Sequence, residues 1–268
     1  MSATLGGLIK DLRLQKNISQ LEIAFALGWK EPSRLSRIEQ GKVGNPSREF
    51  IVKLTNAMHL TEEERNQLLV VGNYLPTKEE IELARKKIIP IIDSWQFPAT
   101  CYDYTWRIIY TNQKLYKLLD ISPRQQKEME YRLPSIIEAI FDPNFILNRT
   151  KHPKELQERK KYLLRVLLHY LYEQRVRTGE RWYQDLIKRM MNNSLFRELW
   201  PQALQQLVSG VDLTNFGEKS LVSNEGGKKR VLDFKFFVMP VFKDPRFMVE
   251  LYMPSDIRTF EYYKKKVE

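Results

Sequence analysis

The residues best suited to chemistry lie in one short stretch, Ser33-Arg34-Leu35-Ser36-Arg37-Ile38-Glu39-Gln40-Gly41. Two guanidinium groups three positions apart, with a hydroxyl beside them, place donors along one side of a helix. An arginine there can give two parallel hydrogen bonds to guanine O6 and N7, worth about 1–3 kcal/mol of discrimination against another base. Leu35 and Ile38 are the apolar members of the same helix and must face a core, which leaves Ser33, Arg34 and Arg37 outward. Other chemistry is missing. The chain has three histidines (His59, His152 and His169) without triad context, no glycine-rich phosphate loop and no metal-spaced His/Cys cluster. Neither an enzyme nor a metal site is expected, and no catalytic residues are assigned.

The elements that must hold that helix are legible on both sides of it. Residues 4 to 71 read as five short helices. Leu5, Leu8, Ile9 and Leu12 recur at helical spacing, and Ser19 suits the N-cap of a second helix carrying Ile23, Ala24 and Leu27 inward. Gly28 follows as a C-cap or turn, Pro32 suits the first turn of a third helix, and Gly41 ends it. A fourth helix runs roughly Ser47 to Met58, and Thr61-Glu62-Glu63-Glu64 forms a capping box for a fifth.

Ser19-Gln20-x-x-Ile23-Ala24-x-x-Leu27-Gly28, the Ser36 to Gly41 ending and Asn45-Pro46-Ser47 together resemble the phage-repressor type of helix-turn-helix, the xenobiotic-response-element family. The resemblance covers about the first 70 residues and makes Ala24 the small residue at the helix crossing. It implies a recognition helix whose N-terminal side chains Ser33, Arg34 and Arg37 meet base edges in the major groove of double-stranded DNA. Gln20 matches the position whose amide meets a phosphate, and Lys42 and Arg48 follow the DNA backbone. Glu39 is expected to orient neighbouring arginines or to cap locally rather than to touch DNA. Lys30-Glu31-Pro32 departs from the family's usual opening of that helix, and a one-residue shift in register there would change the base-reading set. One module buries about 600–1,000 Å² on DNA, which is small for tight specific binding, so a homodimer on two half-sites is expected.

Composition agrees. With 44 Lys and Arg against 33 Asp and Glu the formal net charge is +11, which favours a polyanionic partner. Apolar content of 43% permits a sizeable core in this 268-residue chain. The single cysteine, Cys101, allows no intramolecular disulfide and suits a reducing, cytoplasmic setting, where it reads as a small buried hydrophobe. The most apolar stretch, Tyr162 to Tyr172, is far shorter than the about 20 residues a membrane span needs, so no membrane partner is expected.

The chain divides into residues 1–73, a helix-turn-helix DNA-binding domain; 74–95, a linker and connecting helix; and 96–268, a C-terminal domain whose ligand-binding role is implied by the second resemblance given below. The boundary is Asn73-Tyr74-Leu75-Pro76-Thr77. Ala99 to Asp103 and Trp106 to Thr111 form a hairpin signal around Tyr104-Thr105, and Asn112 can cap a helix through Leu119. Residues 135 to 208 are mainly helical, punctuated by Pro143, Pro153 and Pro201. Leu232, Phe234, Phe236 and Val238 alternate in one late strand, and Phe247, Val249, Leu251 and Met253 in another, with Asp244-Pro245 as the turn. The fold class is therefore α+β: an all-α five-helix domain followed by an antiparallel sheet with a large helical insertion.

Pro98-Ala99, Trp106, Asn112, Phe141-Asp142-Pro143, Phe196-Arg197-Glu198-Leu199-Trp200 and Leu251-Tyr252-Met253-Pro254-Ser255 resemble the MmyB-like regulators, whose helix-turn-helix precedes a PAS-like ligand-binding domain. The chain departs from that pattern between Thr214 and Lys229, where the family usually shows a strand. The resemblance implies a pocket between sheet and helices for a small apolar ligand such as a fatty acid, with no other cofactor. Trp106, Ile108, Phe234, Phe236, Val249 and Leu251 are the sheet-side candidates, opposed by Leu163, Leu167 and Leu171 at i, i+4, i+8. Buried methylenes contribute about 0.8 kcal/mol each before entropy costs, so a chain of about a dozen can bind tightly. The same stripes also suit plain core packing.

Residues 149–198 hold thirteen Lys/Arg against six Asp/Glu, a solvated face or an anion-binding surface on which Arg177 and Arg181 are candidates. His169 reads as a satisfied core histidine rather than a haem ligand. Two competing readings remain: a peptide-responsive regulator with a helical-repeat C-terminal half, and a protein-interaction scaffold that keeps a helix-turn-helix.

Overall fold

The computed structural model describes residues 4–142, 153–210, 218–225, 228–241 and 243–264. The chain forms two compact units, one of residues 1–81 with 240–247 and one of residues 82–239 with 248–268. The division falls at 81/82, inside the segment read from sequence as a connecting helix, and the first unit recruits eight residues from far along the chain.

The first unit holds α1 (Leu5–Gln15), α2 (Gln20–Ala26), α3 (Ser33–Glu39), α4 (Arg48–Ala57) and α5 (Glu62–Val71), and α6 (Lys78–Ser94) begins in it. Four of these starts are specified by a local cap, whereas α3 opens on Pro32 without a side-chain cap. Thr4, Ser19, Ser47 and Thr61 cap α1, α2, α4 and α5, and Ser19 with Glu22 and Thr61 with Glu64 complete capping boxes. Gly28 and Gly41 close α2 and α3 at φ +76° and +68°, values that cost glycine nothing. One core joins Leu8, Ile9 and Leu12 of α1, Ile23 of α2, Leu35 and Ile38 of α3, Ile51 and Leu54 of α4 and Leu68 of α5. The crossing of α1 and α3 depends on Gly6, where a methyl group would stand 2.2 Å from the Ile38 carbonyl oxygen.

The second unit is built on a five-stranded sheet in the order β2-β1-β5-β4-β3, with β1 (Ala99–Asp103), β2 (Ile108–Thr111), β3 (Glu218–Glu225), β4 (Lys228–Val241) and β5 (Asp244–Pro254). This is not the helical repeat that a peptide-responsive C-terminal half requires. β1 and β2 pair antiparallel, and so do β3 and β4. Asp103, fully buried, shapes the first turn: its carboxylate accepts from Thr105 N at 2.9 Å, Arg107 N at 3.1 Å and Arg107 Nε at 2.9 Å. The helices are α7 (Gln113–Leu118), α8 (Pro123–Arg132), α9 (Ile136–Phe141), α10 (Pro153–Gln174), α11 (Arg181–Met190), α12 (Ser194–Val208) and α13 (Ile257–Lys264). Asn112 caps α7 through Leu115 N at 3.0 Å, and the same oxygen accepts from Ala99 N at 3.1 Å, tying helix to strand.

Several expectations are corrected here. Asp244 and Pro245, expected as the late turn, already belong to β5, and the described turn residue before them is Lys243, at φ +71°. The Thr214–Lys229 stretch holds β3, which pairs along β4 from Glu218↔Lys235 to Glu225↔Lys228. Its polar composition hid a strand whose partner supplies the pattern. Pro201 lies inside α12 rather than between elements. Pro143 and most of the Arg149–Pro153 stretch fall outside the described residues, and no described helix is long and apolar enough to cross a membrane.

Candidate nucleic-acid interface and ligand cavity

On α3, Leu35 and Ile38 are buried, and Ser33, Arg34 and Arg37 are exposed on the opposite side. The helix thus offers one hydroxyl and two guanidinium groups to solvent. Ser33 Oγ donates to Glu31 Oε1 at 2.7 Å, and the Arg34 guanidinium lies 4.8 Å from the centre of the Trp29 ring, which itself stacks on Phe50. That stacking limits the directions Arg34 can take. Lys42 is exposed just past the helix.

Behind this surface lies a buried polar anchor. Glu39, at the inner end of α3, accepts from Arg13 Nε at 2.7 Å and Nη2 at 3.0 Å, a two-pronged pair. Gln20 Nε2 donates to the same carboxylate at 2.8 Å. The amide of Gln20, at the first position of α2, is therefore held by its nitrogen, and its oxygen is directed away from Glu39. The sequence pattern puts Gln20 on a phosphate and does not reveal its tether, because Gln20 and Glu39 are 19 residues apart.

Arg48 differs from expectation. Its Nη1 donates to the Leu75 carbonyl at 2.7 Å and its Nη2 is paired with Glu80, so the side chain turns into the first unit rather than standing free. Glu80 also accepts from Thr77 N at 3.0 Å and from Arg246 Nη1 at 2.8 Å. Burial works to raise the Glu80 carboxyl, but the Arg246 charge and the hydrogen bonds from Thr77, Arg246 and Arg48 hold it below the usual carboxylate range.

The second unit contains a cavity of about 130 Å³ between sheet and helices. Of the residues read from sequence, Trp106, Ile108 and Phe236 line it. Leu163, Leu167, Leu171, Phe234, Val249 and Leu251 do not. On α10 the lining residues are Tyr162, Arg165, Val166 and His169, one helical face around from the leucines, which pack instead into a core with Phe196, Leu199 and Trp200 of α12. On β5 the lining side chains are Glu250 and Tyr252, the opposite parity to Val249 and Leu251. Phe234 is buried beside Tyr252, Tyr262 and Tyr263. Tyr116 also borders the cavity, and burial pushes its phenol up to about 12.

His169 Nε2 lies 2.8 Å from Glu173 Oε1, and Trp106 Nε1 donates to Glu173 Oε2 at 2.7 Å. The histidine is a satisfied wall residue. Burial raises the Glu173 carboxyl, but its bonds from His169 and Trp106 outweigh this and leave it lowered. Cys101 is fully buried on β1, and burial pushes its thiol up, away from the reactive thiolate. Arg177 lies over the Tyr104 ring at 5.1 Å, and Arg181 is almost fully exposed.

No curated protein matches the chain. Residues 4–68 match the family model described as a helix-turn-helix domain, so the first unit carries such a domain, and a domain of this type implies binding to DNA.

Proposed function

We propose that this chain is a sequence-specific DNA-binding transcriptional regulator, not an enzyme, which acts as a homodimer under the control of a small apolar ligand. The observation that carries the reading is the division of α3: Leu35 and Ile38 are sealed in the core, and Ser33, Arg34 and Arg37 are left in solvent. In this reading Arg34 and Arg37 read base edges, with Ser33 beside them, and Gln20 and Lys42 contact phosphates. The net charge of +11 supports the encounter with DNA.

The second unit is proposed to be PAS-like, in the manner of MmyB-like regulators. The sheet-and-helix cavity and its aromatic lining of Tyr102, Trp106, Phe236 and Tyr252 support a ligand with a substantial apolar part, such as a fatty acid. Selection of a duplex from a random library, followed by mobility shift, tests the DNA reading. Native mass spectrometry of the purified chain tests the ligand reading: a co-purifying amphiphile is expected, and an empty protein that binds none of a fatty-acid series contradicts it.

A further inference from the structure

The largest of the fully buried side chains among the described residues is a charged one, Arg246, with no solvent exposure. A guanidinium taken out of water is tolerated only when its charge and N–H groups are matched. Here each of the three guanidinium nitrogens has a carboxylate partner. Nε and Nη2 fork onto Asp244 at 2.9 and 2.8 Å, and Nη1 reaches Glu80 at 2.8 Å, 166 residues away in the chain. Beside it Asn66, also buried, donates Nδ2 to the Lys243 carbonyl at 2.7 Å, gripping the turn where Lys243 takes φ +71°. Closing a hairpin requires none of this. Asp244 alone serves the local turn, whereas Asn66 on α5 and Glu80 on α6 fix the turn in one register against the helices of the first unit.

The strands that carry this tip have a second role. Residues 240–247 belong to the first unit, and farther along the same two strands Phe236 of β4 and Glu250 and Tyr252 of β5 line the cavity of the second. Glu80 in turn holds Arg48, at the first position of α4, and lies 3.8 Å from Arg65 of α5. We propose that the β4–β5 tip is a latch through which the cavity's strands set the conformation of the helix-turn-helix domain, with Arg246 as its positioning residue acting through Glu80. Displacement of β4 or β5 at the cavity is carried along the same two strands to the Arg246–Glu80 pair within the first unit, and from Glu80 to Arg48 of α4 and Arg65 of α5. This rests on the reading that the cavity binds a ligand and the helices bind DNA, but the join itself can be tested without either.

The test uses the full chain and four proteins: wild type, Phe236→Trp, which intrudes on the cavity from β4, Arg246→Met, and the double variant. Hydrogen exchange of amides in residues 48–81 is expected to change on Phe236→Trp in the wild-type background and to stay unchanged when Arg246→Met is already present. An equal change in both backgrounds, or none in the wild type, overturns the latch. A merely stabilising Arg246 would shift exchange additively, not abolish the response. Should Arg246→Met fail to fold, Glu80→Gln replaces it in the same cycle. With a library-selected duplex, palmitic acid is expected to change the dissociation constant at least about fivefold for wild type and under about twofold for Arg246→Met. Persistence of the full change in Arg246→Met overturns the latch. If palmitic acid has no effect but the exchange response still depends on Arg246, the ligand reading fails and the latch stands.

Discussion

Gln20 donates its amide nitrogen to Glu39 at 2.8 Å, and Glu39 simultaneously closes a two-pronged pair with Arg13. The first residue of α2 and the last of α3 are thereby fixed to α1 through one carboxylate. Replacing Glu39 by Ala leaves the Arg13 guanidinium buried without its partner, a loss of about 3–5 kcal/mol. Chemical unfolding of the variant checks this, and Gln20→Ala, which spares the Arg13 pair, is expected to cost far less.

Gly6 gives a second handle on the same domain. Its missing side chain is what lets α1 meet the end of α3, because a methyl would lie 2.2 Å from Ile38 O and 2.9 Å from Glu39 O. Both atoms are backbone and cannot swing aside. Gly6→Ala is expected to cost about 1–3 kcal/mol despite the better helix propensity of alanine. A melting temperature equal to or above wild type would contradict the close crossing.

Much of the first domain is written locally. Ser19 with Glu22, Thr61 with Glu64 and the glycines at 28 and 41 each act within a few residues, so caps and stops can be read directly from the chain. The buried positions Leu35 and Ile38 also follow from one helix period. The cavity lining does not. Tyr162, Val166 and His169 form as regular a stripe on α10 as Leu163, Leu167 and Leu171, and only packing against α12 decides which faces the core. β5 is apolar on both parities, Met248 and Tyr252 on one and Phe247, Val249 and Leu251 on the other, so alternation alone leaves its facing open. The Arg246–Glu80 contact joins residues 166 positions apart and has no signature in either segment.

That division of α10 yields a paired prediction. Leu167, fully buried in the core with α12, is expected to lose about 2–5 kcal/mol of stability as Leu167→Ala with little effect on ligand affinity. Val166 lines the cavity, so Val166→Phe is expected to weaken binding of palmitic acid at least tenfold with a smaller stability change. Unfolding midpoints and titration calorimetry separate the two. The reverse pattern would restore the leucine stripe as the lining.

Acid behaviour tests the Glu80 cluster. The folded carboxyl lies below its ordinary value of 4.5, so its stabilising contribution is complete above that value and is lost as pH falls through the folded value. Between about pH 5 and 3 the wild type is expected to lose stability more steeply than Glu80→Gln, which carries no titrating group there. Urea unfolding across that range checks the sign. Parallel curves would show that Glu80 is not held ionised by Arg246 and Arg48.

The sequence-reading role proposed for the exposed side of α3 is tested by a mobility shift of wild type and Arg37→Ala on a library-selected duplex and on a scrambled one. Wild type is expected to prefer the selected duplex, and Arg37→Ala to lose about 1–3 kcal/mol of that preference with scrambled binding little changed. Wild-type discrimination retained in full by Arg37→Ala, and by Arg34→Ala as well, would contradict it.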